Sequence, residues 1–181
     1  RAILFADDKP VISNRGEVQL NANNISGIPV FQISADAAKA MAEGKRCHVV
    51  LDFLPDFTEE LLISYMKQRI GTGGYKSAVN FLTGLFAKKL SEVLCEKCKF
   101  SKKITAEKFT EDDTTNLCKQ IKNFKIQIYG TNGFEHAQCC GGGISLEEID
   151  PSTMESLKVP GLHFCGELLD VHGDCGGYNL Q

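Results

Sequence analysis

The hydrophobic period of this chain changes twice, and the two changes limit the possible folds more than any other feature. Up to Phe53 apolar residues come in short β-like runs around one helical pattern. Beyond Pro55 the period becomes helical, and at Phe124 alternation returns. Phe124-Lys125-Ile126-Gln127-Ile128-Tyr129 reads as a strand with one buried face, because successive side chains of a strand point to opposite sides. The order is β, helix, β, helical block, β. That predicts an α+β chain in which a helical block interrupts a β unit.

Local chemistry supports the division. Ala2–Ala6 is a short apolar run, Asp7-Asp8-Lys9-Pro10 has turn residues, and Gly16–Leu20 alternates. Pro29 suits the first turn of a helix, where its missing N–H has no helical partner anyway. Val30, Ile33, Ala37 and Met41 follow at helical spacing up to Gly44, and Cys47–Phe53 reads as a buried strand. Thr58 can cap a helix carrying Leu61, Leu62, Tyr65, Met66 and Ile70 on one face. Gly71-Thr72-Gly73-Gly74 reads as a flexible hinge. A second pattern carries Phe86, Leu90, Val93 and Leu94, and a third carries Leu117 and Ile121. Thr110 with Asp113 resembles a weak capping box at the start of that third pattern. Beyond the turn Gly130–Gly133 a further strand is expected to lead to Gly141-Gly142-Gly143, and another at Leu162–Cys165.

Composition excludes several classes. Of 181 residues, 43% are hydrophobic and 24% charged, as in ordinary globular proteins rather than disordered or collagen-like ones. A net charge of −3 argues against nucleic acid as a partner, since such domains usually carry a strongly basic face. No apolar run approaches the ~18 residues of a membrane helix. The chain opens with Arg1 rather than Met and shows no export signal, so it is expected to be a piece of a longer protein. Eight cysteines without such a signal read as small hydrophobes or free thiols, and the expected location is the cytoplasm.

Most chemical motifs fail on spacing. Cys95-Glu96-Lys97-Cys98 lies inside a helical pattern, and neither a second CxxC nor a paired histidine completes a zinc set. Lys88 to Lys108 interleaves with Glu92, Glu96 and Glu107 and reads as a solvated helix surface. Gly71-x-Gly73-Gly74 is not a dinucleotide fingerprint, because Lys76 stands at the third glycine position. His48, His136, His163 and His172 have no metal spacing, so no metal site is expected.

The informative segment is the end. In Phe164-Cys165-Gly166-Glu167 a glycine places a carboxylate where the backbone can be approached closely. Such a carboxylate can accept hydrogen bonds from sugar-like hydroxyls. Gly176-Gly177, if they open a helix, leave free N–H groups facing whatever lies in front. A surface glutamate beside a glycine-rich turn is the plain alternative.

Residues 133–181, GFEHAQCCGGGISLEEIDPSTMESLKVPGLHFCGELLDVHGDCGGYNLQ, resemble the closing segment of the BaiN/YhiN-like bacterial flavoproteins. These are FAD-dependent oxidoreductases of the two-dinucleotide-binding-domain type. Residues 15–34, RGEVQLNANNISGIPVFQIS, resemble the opening of the same family's inserted domain. The resemblance implies a β-barrel-like unit interrupted by a helical block, with a short piece of an FAD-binding α/β domain at the carboxy-terminal end. It divides the chain into 1–55 and 123–143 as the β-rich insert, 56–122 as a helical subdomain, and 144–181 as part of the FAD domain. The partner it implies is a missing amino-terminal FAD-binding half.

The same resemblance implies the site. Gly166 and Glu167 match the acidic turn at the ribityl chain of FAD, and Gly176, Gly177, Tyr178 and Asn179 match the helix start facing the isoalloxazine ring. Catalytic residues stay unnamed. The parent is expected to pass hydride from NAD(P)H or an organic donor through FAD to a small-molecule acceptor such as a conjugated enone. The insert would cover the ring and shape the acceptor pocket, and this chain alone is expected to be inactive. His172-Gly173-Asp174-Cys175 departs from the family's Asp-Gly-Pro-Thr, and Cys139-Cys140-Gly141 from its Val-Thr-Ala. These departures place Cys140 and Cys175 near the ring. A non-catalytic α+β interaction module with a structural glycine-rich tail is the competing reading.

Overall fold

A computed structural model describes residues 1–101, 103–137, 141–171 and 173. In chain order the main elements are β1 (Ala2–Ala6), β2 (Lys9–Asn14), β3 (Gln19–Leu20), β4 (Ile25–Ser26), α1 (Ile28–Ala42), β5 (Cys47–Leu51), α2 (Glu59–Gly73), α3 (Ala78–Phe81), α4 (Lys88–Lys97), α5 (Glu111–Lys122) and β6 (Phe124–Ile128). Four strands form a sheet of order β2-β1-β5-β6, and β3 pairs with β4 in a small antiparallel sheet. The helical block between β5 and β6 is as expected. The described residues give open sheets and no closed barrel, so the barrel-like closure expected above is absent from them. No described helix is long and apolar enough to cross a membrane.

The chain divides into two compact units, one of residues 1–3 and 48–127, the other of residues 4–47 and 128–181. In the second unit, Leu4 and Ala6 are buried where β1 runs into its turn. Asp7 and Asp8 take positive φ, 47° and 61°, which a two-residue hairpin link requires and which Asp tolerates better than most residues. Asp7 N–H donates to Arg46 O at 2.9 Å, and Arg46 N–H donates to Asp7 Oδ1 at 3.0 Å. The turn is thus only two residues long, and Lys9 and Pro10 belong to β2 rather than to the turn expected from sequence. Pro10 is tolerated because β2 is an edge strand.

Gly16–Leu20 is mostly irregular, and only Gln19 and Leu20 pair as strand. Asn21 to Asn24 turns the chain into β4, with Asn21 N–H donating to Asn24 O at 2.9 Å. Helix α1 begins at Gly27, whose φ is 103°, with Pro29 in its first turn as expected. A Cβ on Gly27 would stand 2.4 Å from Glu17 O, so this position takes no larger residue. The helix buries Pro29, Ile33, Ala37 and Ala40.

In the first unit, Thr58 caps α2 as expected, its hydroxyl accepting from Leu61 N–H at 3.3 Å. The buried face is Leu62 and Met66, whereas Leu61 is 59% exposed. The glycine cluster is not a hinge. Helix α2 continues through Gly71, Thr72 and Gly73 and ends at Gly74, where a Cβ would stand 2.6 Å from Ile70 O and 3.1 Å from Glu107. Arg69 ties α2 to the end of α3, donating to Phe81 O at 3.1 and 3.0 Å and to Thr83 O at 2.8 Å.

Helix α4 closes with Lys99 at φ 58°. Lys99 N–H donates to Glu96 O and Phe100 N–H to Cys95 O, both at 2.9 Å, the paired bonds of a Schellman motif. Helix α5 opens with a complete Thr110–Asp113 capping box. Its buried Leu117 and Ile121 complete a core with Leu62, Met66, Phe81, Leu82 and Leu94. Each such side chain contributes ~1.5–3 kcal/mol on burial. At the end of α5, Lys122 Nζ donates to Asp52 Oδ2 at 2.7 Å, Leu54 O at 2.8 Å and Phe57 O at 2.6 Å.

Candidate functional site

The site foreseen at Gly166 and Glu167 lies in the 144–171 segment of the second unit, which tight turns and single bridges hold together. Ile149 bridges Ser156 and Glu155 bridges His163, both antiparallel. The Asp150 carboxylate accepts from the Ser152 hydroxyl at 2.7 Å and the Ser152 N–H at 2.8 Å. These bonds favour the ionised form and hold Asp150 below its ordinary carboxylate range. Glu155 Oε1 accepts from Gly161 N–H at 2.6 Å and closes the Val159-Pro160-Gly161 turn. The strand expected at Leu162–Cys165 is reduced to its one bridge at His163.

From Cys165 the chain enters a one-turn 3-10 helix, Gly166–Leu168, with Gly166 at φ 65°. Leu169 N–H donates back to Gly166 O at 3.2 Å. Leu169 then bridges Ile144 in parallel, with Ile144 N–H donating to Leu168 O at 2.9 Å and Asp170 N–H to Ile144 O at 3.0 Å. Glu167 is therefore carried on a turn, not at the end of a strand as the sequence suggested. Gly166 needs to be glycine because its φ is left-handed.

Residues here fit the ribityl chain of a flavin in one respect. Glu167 is exposed, and its carboxylate has no hydrogen bond or ion pair with another described residue. Nothing described stands within 4 Å of where a Cβ of Gly166 would project, so a polyol could lie against this backbone. Gly176, Gly177, Tyr178 and Asn179 lie outside the described residues, as do Cys139, Cys140 and Cys175. The structure therefore describes the turn that carries Gly166 and Glu167, and the residues expected at the ring lie outside it.

Sequence reasoning missed Gly143. The sequence marks it only as the end of an expected strand, yet a Cβ there would collide with the backbone of Leu168, Leu169 and Asp170. The three consecutive glycines at 141–143 were the available signal.

Elsewhere the motifs stay structural. Cys95 is buried in α4, Cys98 at its end and Cys118 in α5. Burial pushes the Cys95 thiol up to about 11 and the Cys98 and Cys118 thiols up to about 12. Such thiols are protonated at neutral pH and are poor nucleophiles, the opposite of a redox CxxC. Lys88, Lys89, Lys97, Glu92 and Glu96 are exposed along α4, as a solvated surface requires.

Comparison with known proteins identifies the class. Residues 2–139 match the HI0933-like protein barrel and H2TH domain, and residues 113–181 match the HI0933-like protein Rossmann domain. The chain belongs to the HI0933-like family, that of the BaiN/YhiN-like flavoproteins. It is 42% identical over 166 residues to the 3-dehydro-bile acid delta(4,6)-reductase of Clostridium scindens, covering 92% of this chain and 41% of that protein. It is 31% identical to the ribosomal RNA dihydrouridine synthase of Escherichia coli and 35% to that of Haemophilus influenzae, each over 74% of this chain and 32% of the relative. The chain thus spans 32% to 41% of the length of these relatives.

Proposed function

We propose that this chain works as part of an FAD-dependent oxidoreductase that reduces a ring C=C bond conjugated to a carbonyl group. The observation that carries this is the 42% identity to a delta(4,6)-reductase over nearly the whole chain. The other two relatives point to the same bond chemistry. Dihydrouridine is uridine whose ring C=C bond, adjacent to a carbonyl, has been saturated. In each case a hydride is added to one carbon and a proton to its neighbour.

When bound, FAD would supply the hydride chemistry, with NAD(P)H or another two-electron donor as the source of electrons. The chain's own contribution at the site is to bind and orient. The Glu167 carboxylate accepts hydrogen bonds from ribityl hydroxyls, and Gly166 leaves room for them. Gly176, Gly177, Tyr178 and Asn179 are assigned to the ring, and the inserted domain shapes the acceptor pocket. Phosphate recognition has to come from a glycine-rich loop on another part of the protein, since no such loop occurs here. The acceptor is a small molecule rather than RNA, consistent with a net charge of −3 and the higher identity to the bile-acid enzyme.

The visible absorbance spectrum of the full-length protein, purified without added cofactor, tests the reading. Flavin bands near one per chain are expected. Assays with a steroidal dienone and with unmodified ribosomal RNA then separate the two acceptor classes, and turnover of the RNA alone would overturn the small-molecule assignment. A colourless protein that takes up no FAD would overturn the flavin reading and favour a non-catalytic interaction module.

A further inference from the structure

We infer that Gly143 is a positioning residue for the Glu167 carboxylate, an inference that rests on the FAD reading above. The two residues meet through the backbone. A Cβ on Gly143 would stand 2.6 Å from Leu168 O, 2.6 Å from Leu169 C and 2.8 Å from Asp170 N. All three atoms are main chain, so no side-chain rotation relieves the collision. Substitution has to push the two segments apart.

What would be pushed is the support of Glu167. Ile144, next to Gly143, is bonded on one side of Leu169 through Leu168 O at 2.9 Å and on the other through Asp170 N–H at 3.0 Å. Leu168 is the neighbour of Glu167, and Leu169 N–H closes the turn onto Gly166 O. The turn bearing the carboxylate is thus fixed at its far end by the parallel bridge, and the bridge exists because residue 143 has no side chain. Groups that bind a cofactor have to be held to within ~0.5 Å of their working position. Gly143 sets that position without touching the ligand.

The test uses the full-length protein and measures FAD dissociation constants of Gly143→Ala, Glu167→Gln and the double variant, with Gly130→Ala as control. Nothing described lies within 4 Å of a Cβ at Gly130. Gly143→Ala and Glu167→Gln are each expected to weaken FAD binding about tenfold. The double variant should be no weaker than Glu167→Gln, since both changes remove one interaction. Gly143→Ala should also alter the visible circular dichroism of bound flavin, which a general loss of stability would not. Wild-type affinity and dichroism in Gly143→Ala, full additivity in the double variant, or an equal loss in Gly130→Ala would each overturn the inference. If Gly143→Ala fails to fold, amide exchange in the wild type decides: FAD should slow exchange at Ile144 and Asp170, and unchanged rates overturn it. A wild-type protein that binds no FAD at all fails the underlying reading instead, and the inference with it.

Discussion

Lys122 and Asp52, seventy residues apart in the chain, form a nearly buried ion pair of 2.7 Å with side-chain exposures of 12% and 11%. The lysine also donates to Leu54 O and Phe57 O, so all three of its protons are used. Removing the lysine leaves a carboxylate and two carbonyls short of a donor. Lys122→Met is expected to cost about 3 kcal/mol, since breaking one side of a buried pair is far more expensive than losing a surface one. Urea unfolding measures it. Lys67→Met removes the exposed pair with Glu111 and should leave the midpoint unchanged.

Lys99 holds the left-handed position that glycine usually takes after a helix. Its side chain is exposed, while its N–H completes the Schellman pair. Lys99→Gly should therefore raise stability by about 1 kcal/mol, the cost of a Cβ in this conformation being ~1–2 kcal/mol. Lys99→Val should lower it. A Lys99→Gly variant less stable than wild type would show that the lysine side chain contributes more than the strain it carries.

Thr110→Ala removes the hydroxyl that accepts from Asp113 N–H at 3.1 Å. A loss of about 1 kcal/mol is expected, with most of it recovered in Thr110→Ser. Equal losses in both variants would point to packing of the threonine methyl group instead of the cap.

The buried thiols set an alkaline limit. Cys95, Cys98 and Cys118 ionise near 11 to 12 in the fold, against an ordinary value near 9. Above pH 9 the unfolded chain gives up these protons while the folded chain keeps them. Stability is thus fully present below about pH 9 and is lost as pH rises toward the folded values. Urea midpoints should fall between pH 9 and pH 11, and fall less in a Cys98→Ala, Cys118→Ala variant. An equal fall in both proteins would assign the effect to other groups.

Elements with a local chemical signature were readable from sequence. Thr58, Pro29 and the Thr110–Asp113 pair announce helix starts through bonds made within a few residues. The alternation at Phe124–Ile128 likewise marks β6. What escaped depends on distant neighbours. Pro10 looks like a turn residue until β2 is known to lie at a sheet edge. Gly71 to Gly74 looks flexible until Glu107 is seen packed against Gly74. At the candidate site, Glu167 was named from its glycine and the family resemblance. Gly143 was not, because its meaning comes from a segment twenty-five residues later.

Lys9 and Pro10 together have a consequence for the protein in concentrated solution. An edge strand offers a row of unpaired amides on which a foreign strand can build. At Pro10 that row has a gap, since proline brings no proton to share. Lys9 beside it adds a charge that an incoming apolar strand would have to bury. The same two residues that disguise β2 in the sequence therefore act as its guard against self-association.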